Sequence, residues 1–111
     1  LARIREALAV ATVAVAIGAT PAVAQDVAAG RGLVEEWCSD CHNITATGRP
    51  KQIPPDFAEI ARYRPPDWIR AYIISPHPNS PMPTRAISLL DADQLDAIVA
   101  YIASLDTSAS N

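Results

Sequence analysis

Five consecutive residues carry most of the chemistry available to this chain: Cys38-Ser39-Asp40-Cys41-His42. Two thiols separated by two residues can be presented by one short turn to a single edge of a ligand. An imidazole that follows at once can rise beneath it. This is the C-x-x-C-H arrangement that attaches a c-type haem, with the sulfurs adding across two vinyl groups as thioethers and the histidine ligating iron. Cys38 and Cys41 are the only cysteines in the sequence. Three other uses of such a pair compete with this reading. A thioredoxin-like dithiol belongs in an α/β setting, and no strand-helix alternation is visible. A zinc site needs two further ligands, and His77 offers only one. A bare disulfide gives no reason for His42 to follow. Haem attachment is the reading that uses all three side chains.

A second axial ligand is expected from Met82, in Ser80-Pro81-Met82-Pro83. The flanking prolines stiffen the backbone and exclude a helix interior, which suits a loop that holds a thioether against iron. A methionine filling a core gap is the plainer alternative. His77, in Pro76-His77-Pro78, is the rival ligand, and His/His ligation would lower the potential that a His/Met pair raises.

These residues need elements to position them. Asp26 suits the N-cap of a first helix reaching about Cys38, with Val27, Gly30, Val34 and Trp37 on one face. A glycine inside that helix would let another helix approach closely, although it can also be merely tolerated. The closing helix is the best defined. Asp91-Ala92-Asp93-Gln94 resembles a capping box, and Leu95, Ile98, Val99, Ile102 and Leu105 follow helical spacing, bordered by Tyr101. That face should pack on the first helix. Nine of the ten prolines lie between Pro50 and Pro83. Within this stretch Asp56-Phe57-Ala58-Glu59 can start a short helix. Pro65 and Pro66 can open another that carries Trp68, Ile69, Tyr72 and Ile73 until Pro76 stops it. No strand periodicity stands out, so the expected class is all-α. The Ser-rich tail after about residue 105 is expected to fray.

Residues 1–24 read as a signal peptide. Arg3 and Arg5 precede an uncharged apolar run from Ala7 to Thr20, Pro21 breaks it, and Ala22-Val23-Ala24 offers an A-x-A site before Gln25. The run is shorter than the roughly 20 residues that span a bilayer, so a cleaved leader is expected rather than a stable membrane anchor. The chain starts with Leu1, so the true start can lie upstream. Residues 25–111 then form one small domain, near the size at which apolar burial alone is marginal and a covalently held cofactor becomes part of the folding energy. The expected location is the periplasm.

The formal net charge is −3, which with export disfavours a nucleic-acid partner. The charge is unevenly spread. Arg49, Lys51, Arg62, Arg64, Arg70 and Arg85 outnumber Asp56, Glu59 and Asp67 in the middle of the chain, while both ends are acidic. A basic collar on an acidic body would steer an acidic partner, although unrelated solvated charges give the same count.

In this order, the leading helix, the C-x-x-C-H, the proline-bracketed Met82 and the closing helix make residues 26–105 resemble a class I c-type cytochrome. The resemblance implies the small cytochrome c fold, with N- and C-terminal helices packed together around one covalent haem c. It implies that Gly30, eight residues before Cys38, packs against Tyr101. It implies that a proline carbonyl, matched by Pro55 with Pro54 beside it, accepts the N–H of the proximal His42, and that Trp68 is a candidate to bond a haem propionate. The family's aromatic four residues before the first cysteine is here Val34, with Trp37 nearby. A four-helix haem bundle would carry its C-x-x-C-H near the C-terminus. The implied function is periplasmic electron transfer to redox protein partners, as a monomer with no catalytic residues of its own. Alternatives are the cytochrome subunit of a periplasmic dehydrogenase or oxidase, and a gas-binding or peroxidatic haem protein.

Overall fold

The computed structural model describes residues 7–14, 21–47, 53–76, 78–82 and 87–108. Helix α1 spans Pro21–Trp37, α2 Phe57–Tyr63, α3 Pro66–Ile74 and α4 Ala92–Ser104, with a 3-10 turn at Ile87–Leu89 before α4. No strand occurs among the described residues. Helix α1 therefore starts five residues before the expected cap at Asp26. Ala22, Val23, Ala24 and Gln25 contain no breaker, and proline suits a first helical position, so in the uncut chain the helix propagates back to Pro21.

The closing helix forms as its sequence predicts. The Asp91 carboxylate accepts from the Gln94 N–H at 2.8 Å, and the Gln94 side chain accepts from the Asp91 N–H at 3.0 Å, which completes the capping box. Leu95, Ala97, Ile98, Val99, Tyr101 and Ile102 are buried along α4. This face packs on α1, and α2 and α3 also lean against α4. The crossing of α1 and α4 depends on Gly30. A Cβ built there would fall 1.9 Å from the Ala97 carbonyl oxygen and 2.9 Å from the Tyr101 Cβ. The backbones meet at a distance that only glycine permits.

Val34 is fully buried at the centre of the core, with Phe57, Ala61, Ile69, Ile98, Val99, Tyr101 and Ile102 around it. Trp37, expected on the same stripe, is 39% exposed at the helix end. Helix α3 opens with Pro65 as N-cap and Pro66 at its first position, and ends at Ile74. Its buried residue is Ile69, while Trp68 is 39% exposed and so stands outside the core. Arg70 on α3 pairs with Asp96 on α4 at 2.9 Å, a surface contact worth no more than ~1 kcal/mol. Helix α2 has Asp56 at its N-cap without a side-chain cap bond, and this aspartate is buried. After α4, the Ser108 N–H and hydroxyl both donate to the Asp106 carboxylate.

Candidate cofactor site

The site begins where α1 ends. Cys38 and Ser39 donate their backbone N–H groups to the Val34 carbonyl at 2.9 and 3.1 Å, so the helix runs into a turn without a break. Cys41 and His42 then donate theirs to the Cys38 carbonyl at 3.3 and 2.9 Å. One carbonyl thus gathers the last three functional residues into a single turn, and the Ser39 hydroxyl ties it back to the Glu35 carbonyl at 2.5 Å. Cys41 is exposed, Cys38 is half-buried, and both are free thiols. Burial pushes the Cys38 thiol up to about 11, so before any attachment it is held as SH rather than thiolate at neutral pH.

The His42 ring is fixed from two sides. Its Nδ1 lies 2.7 Å from the Pro55 carbonyl oxygen. A carbonyl can only accept, so Nδ1 carries the proton and Nε2 keeps its lone pair. Phe57 lies against the same imidazole, with ring centroids 4.8 Å apart and planes tilted by 42°. The Phe57 N–H donates to the Asn43 carbonyl at 3.0 Å, which locks the start of α2 onto the residue after His42. The sequence distinguished neither Phe57 as a support for the ring nor the Asn43 carbonyl as its anchor.

The donor set decides which group this turn could hold. Two thiols and one imidazole with Nε2 available, on a single turn, match covalent haem c. No group of three or more His, Cys, Asp or Glu that could hold a bare metal ion occurs among the described residues. Met82 lies half-buried in the loop after α3, its backbone N–H 3.3 Å from the Ser80 hydroxyl. His77, the rival ligand, is outside the described residues, as are Arg49, Lys51 and Arg85 of the expected collar.

Trp68 forms part of a surface stack. The Arg64 guanidinium sits 4.4 Å from its ring centroid, and Tyr72 stacks on the same ring at 4.9 Å and 16°. Arg62 lies over Tyr63 in the same way at 5.4 Å. Of the described basic residues in the middle of the chain, Arg70 is paired and Arg62 lies within the field of Asp106.

Comparison with known proteins agrees with this donor set. The family model described as Cytochrome c matches residues 27–106. The chain is also 35% identical over 98 residues to a protein named Cytochrome c-552 from Bradyrhizobium diazoefficiens, a match covering 83% of this chain and 86% of that one. No solved structure matches the chain. No helix among the described residues is long and apolar enough to cross a membrane.

Proposed function

The chain belongs to the cytochrome c family, and on that premise we propose that it is an exported monohaem electron carrier with His42 and Met82 as axial ligands. Family membership carries the coarser statement, that this is an electron-transferring haem protein with one covalent haem c. When bound, the haem supplies a one-electron iron couple. The residues do the rest. Cys38 and Cys41 hold it through thioethers. His42 offers Nε2, and the Pro55 carbonyl fixes the ring's direction and raises its basicity through Nδ1–H. That bond is the observation on which the ligand reading rests. Met82 contributes a soft thioether, which favours the reduced state, from a loop stiffened by proline. Phe57 lies against one side of the His42 ring and limits its tilt.

Export is supported by the leader pattern and by three apolar side chains that nothing covers: Leu8, Val10 and Val13 are 91, 83 and 84% exposed. A segment of this kind suits a leader removed before Gln25 and leaves the domain to act in the periplasm. Exposed Arg62 and Arg64, set among Tyr63 and Trp68, suit contact with an acidic redox partner.

The test is a potentiometric titration of the purified holoprotein, paired with acid-acetone extraction. The proposal expects one reversible one-electron step and a haem that stays with the polypeptide. Colour that passes entirely into the solvent, or rapid carbon monoxide binding to the native ferrous form, rejects it.

A further inference from the structure

Three consecutive residues, 42 to 44, are each tied to a different part of the fold. The His42 ring reaches the Pro55 carbonyl at 2.7 Å. The Asn43 carbonyl accepts from the Phe57 N–H at 3.0 Å. The Ile44 carbonyl accepts from the Tyr101 hydroxyl at 2.5 Å, a contact spanning 57 residues of sequence. Tyr101 is itself well fixed. It is 5% exposed, and its Cβ stands at the α1–α4 crossing, 2.9 Å from where a Gly30 Cβ would lie. A phenol has few rotatable bonds, so a hydroxyl anchored this way has little freedom to follow a wandering carbonyl.

We infer that the Tyr101 hydroxyl is a positioning group for the His42 imidazole, transmitting the fixed α1–α4 crossing to the bond between His42 Nδ1 and Pro55. The inference rests on the reading of His42 as an iron ligand. Its physical basis is short. The Cys38 carbonyl holds the His42 backbone from the N-terminal side at 2.9 Å. The Ile44 carbonyl, two peptide units on, is the matching hold from the C-terminal side. Without the hydroxyl, that carbonyl turns to find another donor, and the 42–44 backbone gains freedom. The Nδ1–H bond to Pro55 then weakens, and a less basic imidazole is a poorer donor to iron. The ferric state depends more on that donation, so the potential rises.

The test compares reduced holoprotein of the wild type, Tyr101→Phe and Asp91→Ala. The Asp91 variant removes the α4 cap and lowers stability without touching the residues around His42. Two quantities are read, the solvent exchange of the His42 Nδ1 proton by NMR and the reduction potential. Tyr101→Phe should speed that exchange roughly threefold to tenfold, the effect of losing one ordinary hydrogen bond, and raise the potential. Asp91→Ala should lower the melting temperature and leave both unchanged. If Tyr101→Phe matches Asp91→Ala in both readouts, the hydroxyl is only structural and the inference fails. Should Tyr101→Phe yield no holoprotein, 3-fluorotyrosine in a Tyr63→Phe, Tyr72→Phe background replaces it. The more acidic phenol should move the Nδ1 proton downfield and lower the potential, and no movement overturns the inference. The His42 ring carbon protons report separately on ligation. Ordinary, unshifted positions for them reject the ligand reading and this inference with it.

Discussion

Gly30 and Ala97 meet so closely that the missing side chain is the contact: a Cβ on Gly30 would fall 1.9 Å from the Ala97 carbonyl oxygen. No rotamer change relieves an overlap with backbone. Gly30→Ala should therefore separate α1 from α4 and cost at least the ~1–3 kcal/mol of ordinary overpacking. Gly32 is the internal control, because a Cβ there meets nothing within 4 Å. Gly32→Ala should gain roughly 0.5–1 kcal/mol from helix propensity. Thermal melts of the two holoproteins should move in opposite directions. A Gly30→Ala protein as stable as the wild type would show that the helices do not cross there.

The α4 cap is local and separable. Asp91→Ala removes the acceptor for the Gln94 N–H and should cost about 1 kcal/mol, with the absorption spectrum unchanged. Chemical denaturation measures it, and an unaltered midpoint would mean that the capping box contributes nothing to stability.

How far these features can be read without coordinates depends on how local their causes are. The Asp91 cap and the Pro65-Pro66 opening of α3 are written in adjacent residues, and both elements form as read. Asp56 carries a similar signal, yet its side chain makes no cap bond and the residue is buried, a tertiary fact that adjacent residues do not encode. Trp37 keeps the spacing of the buried stripe but lies at the helix end and is exposed. Which of two adjacent prolines turns its carbonyl to His42 is a matter of chain direction, and only the fold places Pro55 there. The Tyr101 bond to Ile44 has no sequence signature, since it joins a side chain to a backbone atom 57 residues away.

Processing of the leader has a simple readout. Intact-mass analysis of exported holoprotein should give a chain beginning at Gln25 with one haem. Full-length protein retained in the membrane fraction would favour an uncleaved anchor instead.

Arg64 tests the proposed docking surface. Its guanidinium lies over exposed Trp68, so Arg64→Glu reverses the charge on that ring. Electron exchange with a small anionic reagent should slow at low salt. The difference should fade as the Debye length falls to about 10 Å near 0.1 M. A rate unchanged at low ionic strength removes Arg64 from the steering surface and leaves the haem site unaffected.

The ligand pair is the centre of the account, and one absorption measurement reaches it. Ferric holoprotein should show the weak sulfur-to-iron charge-transfer band that marks a thioether on iron. That band should vanish in Met82→Ala and persist in His77→Ala. A wild-type protein without the band, or a band that survives Met82→Ala, would contradict His42/Met82 ligation. A ligation spectrum that changes in His77→Ala instead would assign the second axial position to His77.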